Sequence, residues 1–310
     1  MTEPVDLFFA KAVLKDKIND LAIQQLAHLM AMTREGHTCV KREECAALPL
    51  DLPSLHYTEK AVYLKKMWQY EETFCTHMHR LLSSPVLPVP FTGDPDLNLE
   101  QQKAVINALA HPFTIITGGP GTGKTFTAAR IVKHLGMPQV VVAAPTGKAA
   151  ANLEKGIGRP VRSGTLHSLL QIRSAKDFQN PYPYISADLL IVDECSMIDC
   201  QMFTYLLSAL EAGKRVVLIG DRDQLPPVEG GSFFSDLIDS GVVPVTKLEI
   251  CMRSDRREIL EFAEAIRQEK TYDAGLPSSA GETVVPKSGH AAVALATRVK
   301  RGTVGKSVGW

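Results

Sequence analysis

The sequence predicts an α/β fold on a parallel sheet covered on both faces, preceded by a small helical domain. From Leu97 to about Ala212, short β-branched runs, "FTIIT", "QVVVAA" and "DLLIVDE", alternate with helical periods, and "RVVLIGD" follows just beyond. Continuous apolar strands separated by helices are the pattern of a sheet buried on both sides. Each run ends in a turn rich in Gly, Pro, Asp or Thr, and in such sheets function sits at the carboxyl ends of the strands. Residues 1–84 carry helical stripes instead.

Composition excludes little. The 310 residues are 45% hydrophobic and 22% charged, an ordinary globular balance with room for roughly two domains. Lys and Arg equal Asp and Glu at 34 each, so no global field draws the chain to nucleic acid or a membrane, and any such contact is local. Cys39, Cys45, Cys75, Cys195, Cys200 and Cys251 form no CxxC pair, which fits reduced thiols in a cytoplasmic protein better than a disulfide framework. His77 and His79 beside Cys75, and His37 near Cys39 and Cys45, lack the close paired spacing of zinc ligands. The opening "MTEPVDLFFAKAVLKDKIND" is acidic without a sustained apolar run, against a signal peptide or a membrane span.

Taken in order, "NDLAIQQLAHLMAMTREG" places Ile23, Leu26, Met30 and Thr33 on one helical face, with Asn19 or Asp20 as cap and Gly36 as stop. In "TEKAVYLKKMWQYEETFCTHMHRLL", Leu64, Met67, Trp68, Phe74, Cys75, Met78 and Leu81 form a second apolar stripe, a packing or subunit-contact face. Prolines at 85, 88, 90 and 95 make residues 85–96 an extended connector. The α/β unit spans 97–245. The tail, residues 271–310, has one short apolar run, many Gly, Ser and Thr residues and scattered basic ones, and reads as atypical and disordered.

"GGPGTGKT", Gly118 to Thr125, fits GxxxxGK[ST], follows a strand and opens a helix, the context that marks a phosphate-binding loop. Gly118, Gly119, Pro120, Gly121, Thr122 and Gly123 form the turn whose amides cradle phosphate, aided by the helix dipole. Lys124 is suited to the β and γ phosphates of ATP, and Thr125 to magnesium. "LLIVDECSMID" ends a strand in Asp193, assigned to magnesium, and Glu194, assigned to activating water. "RVVLIGD" runs into "GDRDQLPPVEGGS", so Asp221 and Gln224 are expected to leave the sheet beside the first two strands, as a plain turn or as a γ-phosphate contact. In "LNLEQQKAV", Gln101 either completes a helix cap with Asn98 or reaches the adenine edge. Thr146 and Lys148 of "AAPTGKAAANLEKG", and Thr165 and His167 of "SGTLHSLL", the latter placed in the loop before the acidic strand, either cap helices or donate to a phosphodiester backbone.

Together these residues resemble a superfamily-one helicase motor, and more closely the RecD family, the alpha subunit of exodeoxyribonuclease V. "LNLEQQKAV" is similar to the adenine-reading Q motif, and "GGPGTGKT", "AAPTGKAA" and "SGTLHSLL" to motifs I, Ia and Ib. "VDECSMID", "IGDRDQLPPVEGGS" and "LEICMRSDRREILEFAEAIR" resemble motifs II, III and IV. "REGHTCV" and "YLKKMWQYE" look like features of the family's amino-terminal domain, which docks on a RecC-type subunit. The resemblance covers roughly Leu97 to Gln268 and implies a RecA-like P-loop NTPase domain. It also implies ATP and magnesium as cofactors, translocation 5′ to 3′ on single-stranded DNA, duplex DNA as substrate, and RecB-like and RecC-like partners. By the same resemblance Gln101 is an adenine contact, Gln224 a γ-phosphate sensor, and Arg253 an arginine reaching the γ phosphate from the second motor domain; Thr146, Lys148, Thr165 and His167 are contacts to single-stranded DNA. After Gln268 the chain shows neither motif V nor motif VI, so residues 246–270 are read as only the start of a second motor domain. The isolated chain is therefore expected to be impaired in unwinding. Two other readings stand beside it: a non-catalytic remnant binding nucleotide or partners, and a superfamily-one RNA helicase. No motif resembles a nuclease centre.

Overall fold

The computed structural model describes residues 2–14, 19–179, 184–224, 227 and 231–251. Arg253, most of residues 246–270, and the 271–310 tail lie outside the described residues.

The amino-terminal region is α1 (Pro4–Leu14), α2 (Asp20–Arg34), β1 (Cys39–Lys41), β2 (Leu55–Tyr57), β3 (Ala61–Leu64) and α3 (Lys65–Leu82). Asn19 caps α2 by accepting from the Ala22 amide, and the chain leaves the helix through Gly36 at φ +96°. The expectation of an all-helical region is corrected here: the three strands form an antiparallel sheet in the order β1-β3-β2. The second apolar stripe likewise divides, since Leu64 ends a strand and the helix begins at Lys65. Three- and four-residue strands are too short to display an alternating pattern, so tertiary pairing decides them.

The main domain adds α4 (Leu99–Ala110), β4 (Phe113–Gly118), α5 (Lys124–Leu135), β5 (Val140–Ala144), α6 (Gly147–Ile157), β6 (Arg162–Thr165) and the one-turn α7 (Leu166–Leu169). After these come β7 (Leu189–Val192), α8 (Cys200–Ser208), β8 (Arg215–Gly220), α9 (Phe233–Ser240) and β9 (Val245–Leu248). Its six strands are all parallel, in the order β6-β5-β7-β8-β4-β9. The four apolar runs are β4, β5, β7 and β8. Two edge strands depart from the sequence reading. Arg162–Thr165 is β6 rather than loop, paired to β5. Residues 246–248 belong to β9, in register with β4, and so complete the first sheet rather than start a second domain.

Alternate strand residues face opposite cores. Phe113, Ile115, Val141, Ala143, Leu190, Val192, Val216 and Leu218 pack on one side with α8, α9 and α3. Ile116, Val140, Val142, Leu189, Ile191, Val217 and Ile219 pack on the other with α4, α5 and Leu153 of α6. The helix α3 is thus built into the main core: Phe74 lies 5.8 Å from Phe203 and 4.1 Å from Phe233, ring centre to centre. The connector has no regular structure over residues 85–94 but is fixed to this domain. Arg215 donates to the Leu87 carbonyl at 2.5 Å, and the Val89 amide to the Leu109 carbonyl.

Candidate nucleotide and single-strand site

β4 ends at Gly118, and the loop 119–123 turns the chain into α5. Two requirements select glycine. Gly121 and Gly123 hold φ of +81° and +84°, which side chains with a Cβ resist. At Gly118 the obstacle is space, because a Cβ would collide with the Leu248 carbonyl of β9. Lys124 opens α5 and folds back, donating from Nζ to the carbonyls of Gly118 at 2.5 Å and Gly119 at 2.9 Å. Thr122 Oγ1 also donates to the Gly119 carbonyl. The first amides of α5 have no partner inside the helix, so the loop and helix end present N–H donors to an anion.

Gln101 lies directly behind the loop and is 2% exposed. Its Oε1 accepts from the Asn98 amide while Asn98 Oδ1 accepts from the Gln101 amide, the reciprocal cap of α4. Its Nε2 donates to the Thr122 carbonyl at 3.4 Å, and a Cβ on Gly123 would sit 2.6 Å from that nitrogen. The capping arrangement is therefore formed, and the same side chain braces the phosphate loop.

On the other side of β8, the acidic pair leaves β7. Burial raises the Asp193 carboxyl above the ordinary range, and the Glu194 charge adds to the rise; the Glu194 amide, donating at 2.8 Å, and the charge of Lys124 oppose it. Glu194 stands at φ +54° and ψ +38°, where the chain turns from strand into a 3₁₀ turn over Cys195–Met197. A non-glycine residue held there costs about 1–3 kcal/mol, and such strain clusters at working sites. Its Oε2 accepts from Thr146 Oγ1 at 3.3 Å. Cys195 is fully buried, which pushes its thiol well above the usual range and excludes a thiolate beside the pair.

The strand β8 lies between β4 and β7, so Asp221 and Gln224 leave the sheet beside the first and third apolar strands, correcting the expected placement beside the first two. Asp221 is buried, and its Oδ1 accepts from the Asp223 amide. Gln224 is exposed, and its Oε1 accepts from Ser196 at 3.4 Å. The Arg222 amide donates to Thr117 on β4, joining this turn to the strand that carries the phosphate loop.

Thr165 ends β6, and Thr146 follows the neighbouring β5 by two residues, with Ala144 in register with Thr165. Both cap helices: Thr146 accepts from the Ala149 amide at the start of α6, and Thr165 from the Ser168 amide at the start of α7. Lys148 and His167 are exposed alongside them. Thr125 is half-buried in the first turn of α5, its methyl against Gly156 of α6.

The described residues fit a magnesium ion held jointly with nucleotide. No group of three or more His, Cys, Asp or Glu able to hold a metal occurs among them. Magnesium bound through one or two protein oxygens plus phosphates and water needs no such group. A carboxyl whose charged form burial disfavours is stabilised by an arriving divalent cation.

Sequence reasoning missed the Thr146–Glu194 bond, the contact of Ser196 with Gln224, and the closure of β9 on Gly118. It also missed Glu100, whose carboxylate accepts from the Glu249 and Ile250 amides just after β9. None has a local sequence signal, since each joins residues distant along the chain. Among the described residues no helix is long and apolar enough to cross a membrane.

The family model described as an AAA domain matches residues 96–282. The RecBCD enzyme subunit RecD of Mycobacterium tuberculosis is 36% identical over 255 residues, covering 70% of this chain and 43% of that protein. The ATP-dependent RecD2 DNA helicase of Deinococcus radiodurans is 38% identical over 189 residues, covering 56% of this chain and 25% of that one. A solved structure of two coordinating Pif1 helicases on forked duplex DNA aligns at a TM-score of 0.45 and 24% identity, over 57% of this chain and 49% of that one. The chain spans less than half the length of these relatives. It belongs to the AAA domain family and is RecD-like.

Proposed function

We propose that this chain is the ATP-hydrolysing motor domain of a RecD-type DNA helicase, coupling turnover to movement along single-stranded DNA. The observation that carries the reading is the placement of Lys124, at the end of the loop after β4, and Asp193, just after β7, at the carboxyl ends of the two strands that flank β8, with the lysine's charge opposing the rise of the Asp193 carboxyl. In this reading the loop amides and Lys124 hold the β and γ phosphates, and Gln101 keeps the loop in shape from behind. Thr125 and Asp193 hold magnesium, which when bound neutralises charge developing on the phosphate oxygens. Glu194 orients the attacking water and takes its proton as the water oxygen bonds to the γ phosphorus and the bond to the β–γ bridging oxygen breaks, ADP leaving with that electron pair. Gln224 reads the γ phosphate, and Arg253 supplies a further positive charge. The edge formed by the exposed Thr146, Lys148 and His167 with the half-buried Thr165 grips the strand through its backbone, without reading bases.

The finer reading assigns the chain to the alpha subunit of an exodeoxyribonuclease V complex in double-strand break repair and recombination, moving 5′ to 3′ beside RecB-like and RecC-like partners. Resemblance to RecBCD subunit RecD proteins supports it. The test is ATP hydrolysis by the purified chain with and without single-stranded DNA, with Lys124→Ala as the blank. Stimulated turnover supports the motor reading; nucleotide binding with no turnover in either condition argues for a chain that grips ATP without using it.

A further inference from the structure

We propose that Glu100 is a positioning residue for nucleotide binding, whose carboxylate seats the chain leaving β9 against the phosphate loop, so that a seated segment and an occupied loop stabilise each other. This role rests on the reading of residues 118–125 as the nucleotide site and deepens it, by naming a residue outside the loop that sets its affinity.

Residues 248–251 touch the loop backbone at both ends. At one end the Leu248 carbonyl fills the space a Cβ on Gly118 would need, and at the other Cys251 Sγ donates to the Pro120 carbonyl at 3.8 Å. Between these contacts the Glu249 and Ile250 amides both donate to Glu100 Oε2, at 2.8 and 3.4 Å. The register of β9 with β4 ends at the pair Gly118 and Leu248, so the two amides beyond it find their acceptor on α4. Successive amides converging on one point form a concave anion seat, and here the protein's own carboxylate occupies it. The side chains of the segment do little to bury it: Ile250 is 49% exposed, and Glu249 is turned to Lys247 at 2.7 Å.

Glu100 and Gln101 are consecutive in the first turn of α4. Gln101 reaches the Thr122 carbonyl in the later half of the loop, while Glu100 holds the segment that lies on its earlier half. One helical turn is thus the common mount of the loop and its flank. The helix dipole accounts for an acid in this turn, but not for two amides converging on it. Without the carboxylate those amides turn to water, the segment lifts from Pro120, and the loop loses a wall that keeps its amides in place for phosphate. By linkage, a nucleotide that is held better beside the seated segment must also hold the segment down.

The test uses the full chain and reads the seat directly through Cys251, which is half-buried, as Cys39 is, whereas Cys45, Cys75, Cys195 and Cys200 are buried. Iodoacetamide alkylation is followed at each cysteine by peptide mapping, with and without magnesium ADP, and ADP affinity is measured by titration. In the wild type, ADP should slow alkylation of Cys251 several-fold and leave Cys39 unchanged. Glu100→Ala should speed nucleotide-free alkylation of Cys251 about tenfold and weaken ADP binding about tenfold, the effect of losing one hydrogen bond to a charged acceptor, with Cys39 again unchanged as the control for folding. Glu100→Gln keeps a carbonyl oxygen for the two amides and should restore most of both. A Glu100→Gln rate equal to that of Glu100→Ala would trace the change to lost charge beside the thiol and overturn the seat. So would wild-type behaviour of Glu100→Ala in either measurement, or equal acceleration at Cys39. Absence of ADP binding by the wild type counts against the nucleotide reading itself; the nucleotide-free rates then decide the seat, equal Cys251 rates in wild type and Glu100→Ala overturning it.

Discussion

Asp193 and Asp236 are both partly enclosed carboxyl groups raised above the ordinary range chiefly by loss of solvent, yet their surroundings are opposite. Asp193 ends a parallel strand opposite Lys124, and the next residue is held in a strained backbone conformation. Asp236, on α9, faces other acids: Glu71 of α3, itself 2% exposed, and Asp239, and it is raised to about 7. Asp239 is in turn paired with Arg222 at 2.6 Å. A raised carboxyl alone therefore does not mark a site of chemistry. What distinguishes Asp193 is a cation across an open strand end, where a metal and phosphates complete the charge balance. Asp236 instead reaches neutrality by keeping its proton, at the seam where α3 joins the main core.

The largest expected effects would break the comparison at the phosphate side. Lys124→Ala should abolish ATP binding by equilibrium titration, whereas Glu194→Gln should retain binding and lower turnover by about 10²- to 10⁴-fold. Equal loss of binding in both would remove the distinction drawn between a residue that grips and one that activates water. At the seam, Phe74→Ala deletes a fully buried ring between Phe203 and Phe233 and should cost about 3–5 kcal/mol in denaturant unfolding. A cost within that range would mean that α3 folds as part of the main core.

Asp236→Asn sharpens the contrast through pH. The native state binds Asp236's proton up to about pH 7, while the unfolded chain releases it near the ordinary value of about 3.9. Stability from this group is thus present below about pH 4 and lost as pH rises to about 7, with no further change above. The asparagine variant should lose that slope and be more stable than wild type at pH 8 by on the order of a few kcal/mol, with ATP turnover preserved. A wild-type unfolding curve flat from pH 4 to 7 would contradict it. For Asp193 the charged form is the one that holds magnesium. Magnesium-dependent nucleotide binding should therefore weaken, as pH falls, at a higher pH than an unperturbed carboxylate would show. The smallest effect belongs to the cap behind the loop: Asn98→Ala should cost about 1 kcal/mol by thermal unfolding and loosen nucleotide binding slightly.

The legible parts of the molecule were those with a strong local pattern. The runs around Ile115, Val142, Ile191 and Leu218 are apolar on both faces because both faces are covered, and this announces buried parallel strands. β6 was not legible because "RSGT" is an edge strand without an apolar side chain, held by backbone pairing to β5. β9 was misassigned because "VTKL" alone does not say which sheet receives it; its place beside β4 is enforced where Leu248 meets the bare Gly118. Within the site, Gln101 was ambiguous between cap and ligand contact because the same carboxamide has chemistry for both.

The sequence by itself determined the four apolar strands and their order along the chain, the glycine-rich turn with its lysine, and the acids at the end of the β7 run, because each depends on residues within a few positions of one another. Tertiary structure alone decided that β8 separates β4 from β7, that α3 joins the main core, and that Thr146 bonds Glu194, 48 residues away in the chain. The physical reason is that propensity, turn chemistry and capping act locally, whereas side-chain bonds between strand ends exist only after the sheet has fixed their register.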